Sequence, residues 1–469
     1  ILNISGGGNF FSGGVTLDNS NSKLLLSSVT LDSVSTSSDN LGIDINEDST
    51  ISSLSIGHVT PISIASTKTL SGSATVSAGS LNLTETGILS STISMTSGKL
   101  DLDESMTITG ELTQAGNAVI DVASGKTVTF DTGTINTENY QLTLEGAGTV
   151  AFPANSSGIV LNNADGVLKL EGTGTAQKVL VSTSSNAGKG ILINESGTLA
   201  NLKISADTEL NIANGKTLYG SIEVSAENTL SLIGTGTLNS SLNLLGTLEA
   251  AESLEVSGKI IIAGDSTISI PDSDTTLIYS GSELTVDAYT FSIGGSGTFS
   301  NNMSSPIVLS VEESILDLTG NGTITGEVRL DGCTLKASGS PTISGNITQS
   351  DDATIEVSPN QTLSYSGSSL NLGSNKLTLT GTGDFSNSNA LVLNDADSLL
   401  SLEGIGTIGV VNATVEANPG KGIQVVESST FASLDILATS YLAIASEKTI
   451  DGPIKLQNNA DLKISGSGE

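Results

Sequence analysis

Pairs of aspartates two residues apart are the feature of the sequence that most directly suggests chemistry. They are Asp101 with Asp103, Asp272 with Asp274, and Asp395 with Asp397. Two carboxylates at a turn can act as the acid and base of glycoside hydrolysis, or supply oxygen ligands to calcium. Hydrolases built on β-helices generally hold the sugar with basic and aromatic side chains, whereas this chain has one arginine and 3% aromatic residues. We interpret the pairs as solvated turn residues, with weak calcium sites as the alternative.

Two Gly-Lys-Thr triplets, at residues 125–127 and 215–217, resemble the end of a phosphate-binding loop. The Walker A motif also needs a glycine five residues before the triplet, where Ile120 and Leu210 stand, and a helix after it. No helical pattern follows either triplet. We therefore predict that Lys126 and Lys216 cover an apolar edge or pair with carboxylates.

Histidine, cysteine and positive charge are scarce. His58 is the only histidine, so no second one exists to share a metal, and the single Cys333 excludes an internal disulfide. The 17 Lys and Arg residues against 49 Asp and Glu residues give a net charge of −32, which would repel nucleic-acid phosphates. The longest apolar runs are far shorter than the roughly 20 residues that cross a bilayer. We predict no enzyme activity, no nucleic-acid partner and no membrane insertion.

Short alternations of apolar and polar residues run through the whole chain. Leu142-Thr143-Leu144 and Leu377-Thr378-Leu379 are examples, and glycine follows each within two residues. A period of two indicates β-strands, and no segment holds a helical period for three turns. We predict an all-β chain with almost no helix.

One motif recurs, of the form L-x-Φ-x-G-x-G-x-Φ, where Φ is apolar. Its copies begin at Leu2, Leu142, Leu230, Phe291, Leu316, Leu377 and Leu400, with a variant at Leu168, a degenerate copy at Leu81 and a last copy at Leu462. Glycine accepts positive φ and lets stacked turns approach closely, so the motif predicts corners between strands. The predicted corner glycines are Gly6, Gly8, Gly146, Gly148, Gly172, Gly174, Gly234, Gly236, Gly295, Gly297, Gly320, Gly322, Gly381, Gly383, Gly404 and Gly406.

The spacing of the motif predicts the architecture, because its copies are separated by steps of two sizes. Long steps run from Leu81 to Leu142, Leu168 to Leu230, Leu230 to Phe291, Leu316 to Leu377 and Leu400 to Leu462; short steps run from Leu142 to Leu168, Phe291 to Leu316 and Leu377 to Leu400. Side chains of a solenoid stack only when a whole number of coils separates them. Three coils of about 20 residues give the long step, and one coil with an enlarged turn gives the short one. Irregular coils of this length favour a right-handed parallel β-helix, with roughly 20 or more coils in a single continuous solenoid over residues 1–469.

A second alignment supports the coils without using the glycine motif. The 15-residue segments that begin at Gly42, Gly190 and Gly422 match without gaps. Leu54 and Leu202 occupy the same apolar position, while the intervening positions vary among polar residues. This pattern indicates one buried face and one solvent-exposed face.

The glycine motif and the Ser/Thr/Gly-rich, cysteine-poor composition resemble the β-helical shafts of bacterial surface adhesins, such as autotransporter passengers and filamentous-haemagglutinin-like proteins. The resemblance covers the whole chain, but it is to a class, and its motif consists of corner glycines and core aliphatics. It therefore implies an elongated, secreted, adhesive or scaffold-forming protein at the cell surface, and it transfers no functional residue.

The two ends of the sequence are in the same phase of the repeat, and neither carries a polar cap or an amphipathic helix. We expect a segment or protomer of a longer fibre, a rod on the order of 110 Å long that joins its neighbours end to end through exposed β edges. A cell-surface or host receptor is a second expected partner. The alternatives are a carbohydrate-binding or carbohydrate-cleaving β-helix of the tailspike kind and a calcium-dependent surface-layer component. No cofactor is expected, with calcium left open.

Overall fold

The structure, a computed structural model, describes residues 1–10, 14–131, 133–301, 305–457 and 459–468. These residues form an all-β parallel solenoid of about 22 turns without a helix, which confirms the predicted fold class. The right-handed winding and the single continuous solenoid stay predictions. The chain divides into two compact units, Ile1–Ser240 and Ser241–Glu469. Within the described ranges no helix is long and apolar enough to cross a membrane.

Unit 1 contributes twelve strands to the first sheet, and further strands to the second sheet. The first-sheet strands are Leu2–Ser5, Lys23–Ser27, Gly42–Ile45, Thr60–Ile64, Ser80–Leu83, Gly98–Leu102, Ala118–Val122, Gln141–Gly146, Val167–Leu170, Gly190–Ile193, Thr208–Ile212 and Thr229–Ile233. The second-sheet strands are Asn9–Phe10, Val15–Leu17, Thr30–Thr36, Ser49–Ile56, Thr69–Val76, Ile88–Met95, Met106–Ile108, Leu112–Gln114, Thr127–Phe130, Ile135–Asn136, Thr149–Ala151, Ile159–Leu161, Thr175–Ala176, Val179–Val181, Gly197–Ile204 and Thr217–Val224. The strand Thr237–Leu244 contains the boundary between the units.

Unit 2 follows the same plan and adds a short third sheet. Its first-sheet strands are Thr247–Ala250, Ser266–Ile270, Thr290–Gly295, Ile315–Leu318, Thr334–Ala337, Ala353–Val357, Lys376–Thr380, Leu399–Glu403, Gly422–Val425, Ser440–Ile444 and Leu462–Gly466. Its second-sheet strands are Leu254–Val256, Ile260–Ile262, Thr276–Tyr279, Thr298–Asn301, Thr323–Ile324, Thr342–Ile343, Thr362–Tyr365, Leu370–Asn371, Asp384–Asn387, Leu391–Leu393, Thr407–Ala413, Ser429–Ile436, Ile450–Asp451 and Ile454–Leu456. The third sheet consists of Leu284–Val286, Ile307–Leu309, Val328–Leu330 and Ile347–Gln349.

The core of each unit is a stack of aliphatic and aromatic side chains held by parallel register. In unit 1, Leu100 pairs with Ile120. In unit 2, Phe291 pairs with Leu316, which pairs with Leu335. All five side chains are fully buried. Burying one such side chain contributes roughly 1.5–3 kcal/mol, so register is fixed by the core: a slip of one residue would turn every inward side chain outward.

Candidate functional site

The turns that lead from the first sheet to the second form a row along each unit, which we call the turn row. Three kinds of turn alternate in it. A cap turn carries an acidic residue or serine, as at Glu195 and Ser196; a lysine turn follows in the next coil, at residues 213–217; and a glycine corner comes third, at residues 234–236. Each kind contacts its neighbour in the row.

The lysine turn is tied to the cap turn of the preceding coil. Lys216 Nζ lies 2.7 Å from Glu195 Oε2, and the Thr217 amide donates a hydrogen bond of 3.0 Å to Ser196 Oγ. The Lys216 amide donates to the Ala213 carbonyl at 3.0 Å and closes the turn itself. The charged groups are one-third to one-half exposed, so the ion pair alone adds little stability. Together the contacts fix the turn against the coil before it.

The same contacts recur along the chain. Lys68, Lys126 and Lys448 pair with Glu47, Glu104 and Glu427, each at 2.5 Å. We call the position of Lys216 in its turn the lysine position. In further copies, the residue after the lysine position donates a hydrogen bond from its backbone amide to a side chain of the preceding cap turn. These hydrogen bonds run from Thr69 to Asp48 at 2.9 Å, Thr127 to Ser105 at 3.0 Å, Thr276 to Ser253 at 2.9 Å, Thr362 to Ser340 at 3.1 Å and Thr449 to Ser428 at 3.0 Å. These lysines therefore pair with carboxylates, the second of the two roles that the sequence predicts. The sequence did not identify the partners, which lie one coil earlier in the chain.

In five of these turns the residue before the lysine position adopts a left-handed conformation. Its φ is +73° at Gly125, +70° at Gly215, +67° at Thr67 and +62° at Asn360 and Glu447. Glycine and asparagine accept this conformation readily, but a β-branched residue is strained there by roughly 1–2 kcal/mol. The turn at Thr67 is thus held against its own preference by the contacts to Glu47 and Asp48.

The glycine corner packs on the lysine turn beneath it. Gly146 has φ of +73°, and a Cβ at Gly148 would lie 2.5 Å from the Ala123 carbonyl oxygen and 2.7 Å from that of Lys126. The Thr149 amide donates to the same Lys126 carbonyl at 2.8 Å. One glycine is therefore needed for its conformation and the other for close backbone approach. Glycines in the second role at other corners are Gly236, Gly297, Gly383 and Gly468.

Some glycine corners stack on other glycine corners. A Cβ at Gly172 would lie 2.0 Å from the Gly146 carbonyl oxygen, and one at Gly174 would lie 2.4 Å from that of Gly148. Similar close contacts occur at the predicted corner glycines Gly320, Gly322 and Gly406, whereas Gly234, Gly295, Gly381 and Gly404 have positive φ. Gly6 and Gly8 lie in the outermost coil, where a Cβ would meet no atom within 4 Å.

The order of the turns explains the spacing of the motif. A cap turn, a lysine turn and a glycine corner occupy three successive coils, which gives the long step, as from Leu168 to Leu230. Where a second glycine corner is stacked on the first, the chain adds a single enlarged coil, which gives the short step, as from Leu142 to Leu168. The Gly-Lys-Thr triplets at residues 125–127 and 215–217 marked two of the lysine turns in the sequence, but the cap turns were unrecognised, because only the glycine corner has a conspicuous motif.

The three aspartate pairs lie in three different coils. Asp103 is exposed after the strand Gly98–Leu102, and Asp272 and Asp274 are exposed in the turn after Ser266–Ile270. Asp395 and Asp397 lie in the turn after Leu391–Leu393, where Asp395 Oδ1 accepts the Asp397 amide at 2.9 Å and Asp397 Oδ1 accepts Asn418 Nδ2 at 2.9 Å. In the part of the chain that the structure describes, no group of three or more His, Cys, Asp or Glu residues is arranged to hold a metal ion.

Asp101 differs from the other aspartates because it belongs to an acidic ladder. It pairs in register with Asp121, which pairs with Glu145. Lys99 Nζ lies 2.5 Å from Asp121 Oδ2 and 3.3 Å from Glu145 Oε2. Burial raises the pKa of the Asp101 carboxyl, Lys99 partly offsets this, and the charges of Asp121, Asp103 and Glu145 raise it further. The sequence could not reveal the ladder, since its members are a coil apart.

A groove of about 650 Å³ lies where the third sheet of unit 2 turns into the first sheet. Residues of the turns 310–314, 331–333 and 350–352 line it. Its polar lining includes Asp331, Asp351, Asp352, Thr334, Thr354 and Thr378. The only lysine of the lining, Lys376, directs Nζ to Glu403 Oε1 at 3.4 Å. The groove is therefore acidic.

Unit 1 contains a counterpart of the groove region with a different charge. The strands Ala118–Val122 and Gln141–Gly146 recur in unit 2 as Ala353–Val357 and Lys376–Thr380, and the same shift in numbering relates both pairs. By this shift Asp331, Asp351 and Asp352 correspond to Thr96, Gly116 and Asn117. The acidic side chains are thus specific to unit 2.

The single cysteine, histidine and arginine of the sequence each have a defined environment in the structure. Cys333 is 3% exposed, and burial raises the pKa of its thiol to about 12, so it is an un-ionised, buried side chain at neutral pH. His58 is half exposed, with Nδ1 3.8 Å from Asp39 Oδ1. Arg329 lies 3.7 Å from both Glu283 and Glu327.

Comparison with models of known protein families, with curated proteins and with solved structures gave no match. The structure itself shows the fold, a parallel β-solenoid with a repeating turn row.

Proposed function

We propose that the chain is an extracellular structural shaft of the adhesin type, which joins other copies end to end into filaments. One observation carries the proposal. The coils of each unit pair strand to strand, and the outermost coils leave inward-facing aliphatic side chains uncovered. Leu2 pairs with the fully buried Leu24 but is itself 46% exposed, and Ile464 pairs with the buried Leu442 but is 66% exposed.

These outermost coils have free hydrogen-bonding edges as well as apolar side chains. Leu2–Ser5 and Leu462–Gly466 each pair with one neighbouring strand among the described residues. Two further apolar residues in these coils, Phe10 and Leu456, are 44% and 54% exposed. A further coil beside each of these strands would cover its edge, and either more polypeptide of the same repeat or another copy could supply it. The proposal places another copy there, and a head-to-tail contact of this kind does not close and would generate a filament.

The turn row suits a structural role. Each lysine turn is tied to the coil before it and packed under the coil after it, outside the strand ladders. A coil is therefore fixed to its neighbours at the turns as well as in the sheets, which opposes sliding and fraying along the stack. The net charge of −32 would keep shafts apart at low salt and allow divalent cations to bring them together.

Electron microscopy of the purified protein over a series of protein and calcium concentrations tests this function. We expect particles that lengthen with protein concentration and carry a constant axial repeat. Particles of one fixed length at every concentration would contradict assembly and favour a single shaft segment. Loss of the particles or of protease resistance in chelator would favour the surface-layer alternative.

The acidic groove of unit 2 is the observation that favours a second function, carbohydrate binding. Carboxylates can accept hydrogen bonds from sugar hydroxyl groups, and threonine hydroxyls can both accept hydrogen bonds from them and donate hydrogen bonds to them. Binding to a panel of glycans, compared between the protein and its Asp351→Asn, Asp352→Asn variant, tests this function. Binding that the variant loses would support it, and the absence of binding by the unmodified protein would reject it.

A further inference from the structure

One lysine turn contains an Asn-Gly sequence. Asn214 and Gly215 are both exposed, Gly215 has φ of +70°, and a Cβ at Gly215 would meet no atom within 4 Å. Among the described residues, neither the Asn214 side chain nor the Gly215 amide makes a hydrogen bond. The Gly215 amide nitrogen and the Asn214 side-chain carbonyl carbon are therefore free to approach each other.

The chain contains one other Asn-Gly sequence, and its groups are engaged. Asn321 Oδ1 accepts the Ser340 amide at 3.0 Å, and the Gly322 amide donates to the Gly295 carbonyl at 3.1 Å. A Cβ at Gly322 would lie 2.3 Å from the Gly297 carbonyl oxygen, so this glycine is also packed against the preceding corner. A reaction at Asn321 must first break these contacts, each of which costs about 1 kcal/mol or more.

We propose that Asn214 is a site of spontaneous deamidation in the folded protein. Asparagine is a thermolabile residue, and a following glycine offers no side chain to obstruct the attack. The Gly215 nitrogen attacks Cγ of Asn214 and forms a cyclic imide. The Cγ–Nδ2 bond breaks, and the amide proton of Gly215 leaves with Nδ2 as ammonia. Water then opens the ring at either carbonyl and leaves aspartate or isoaspartate. Water is the only co-reactant.

The product changes the lysine turn. A carboxylate two residues before Lys216 competes with Glu195 for its ammonium, and isoaspartate lengthens the backbone inside the turn that the Lys216 amide closes on Ala213. Serine occupies this position in the other lysine-bearing turns, as Ser66, Ser124 and Ser446. The reaction would therefore loosen one lysine turn with age and leave those three unchanged.

Peptide mapping of the whole protein, after prolonged incubation in its native state at mildly alkaline pH, tests the proposal. We expect aspartate and isoaspartate at position 214, ammonia release, and an intact Asn321, against a fresh sample digested in parallel. The Asn214→Ser variant, which copies Ser124, is the control and should release no comparable ammonia. Incubation in denaturant should convert both asparagines. Equal conversion of Asn214 and Asn321 in the native protein, or an intact Asn214 where the unfolded chain reacts, would overturn the proposal.

Discussion

The Thr217 amide donates a 3.0 Å hydrogen bond to Ser196 Oγ, although 21 positions separate the two residues in the sequence. This contact and the ion pair beside it make each lysine turn dependent on the coil before it. The consequences can be measured at single residues, because the chain itself offers matched positions with and without each contact.

Replacing Lys216 with methionine should weaken folding slightly. The ion pair with Glu195 is partly exposed, so its loss should lower the free energy of unfolding by at most about 1 kcal/mol, and the loss should shrink at high salt. Urea unfolding followed by circular dichroism measures the change. Lys189→Met is the control, since Lys189 has no ion pair among the described residues. Equal effects of the two substitutions would contradict a specific role for the lysine turn.

Thr67→Gly should stabilise the protein, because glycine accepts the φ of +67° that threonine adopts under strain. The expected gain is about 1 kcal/mol. The reverse substitution at the equivalent position, Gly215→Thr, should lower stability by a similar amount. Thermal and urea unfolding of both variants checks the pair, and a destabilised Thr67→Gly variant would show that the threonine side chain matters more than the backbone strain.

Gly148→Ala should destabilise a glycine corner. The added Cβ would lie 2.5 Å from the Ala123 carbonyl oxygen, so the backbone of one coil must move. Overpacking of this kind costs typically about 1–3 kcal/mol. Gly133→Ala is the control, because a Cβ there meets no atom within 4 Å. Hydrogen exchange should accelerate around residues 123–127 in the first variant alone, and unchanged exchange there would count against the close contact.

Asp101→Asn should stabilise the protein at neutral pH. The raised pKa of Asp101 means that the folded state favours its protonated form, so the associated stability is present at low pH and is lost as pH rises through the folded pKa. The free energy of unfolding should therefore be higher for the variant than for the unmodified protein at pH near 7. The difference should vanish below the pKa of aspartate in the unfolded chain, about 4. Unfolding measured over this pH range gives the answer, with the exposed Asp274→Asn as control. A constant difference at all pH values would contradict the account.

The sequence predicted the fold because coil stacking leaves a periodic record. Leu142 and Leu168 repeat a motif, and the structure pairs them in register. Alternation along each strand likewise identified inward positions such as Leu54 and Leu202, both buried. These features are local or strictly repeated, so one sequence is enough to detect them.

The contacts between turns could not be predicted in the same way. Glu195 and Lys216 have no motif that joins them, and the ladder of Asp101, Asp121 and Glu145 forms only when strands stack. The distance between partners varies with coil length, which insertions in neighbouring turns change. Aspartates two residues apart were conspicuous in the sequence, yet the carboxylates of the acidic ladder come from successive coils.

The three-coil order of the turn row also limits how a gene for such a chain can change in length. Loss of a single coil would place a lysine turn after a coil that has no cap turn, or a glycine corner after a coil that has neither a lysine turn nor a glycine corner. Duplication or loss of three successive coils keeps every turn on its proper neighbour, and so does an extra copy of a glycine-corner coil stacked on another. Natural length variants should therefore differ by those two increments and not by an arbitrary number of coils.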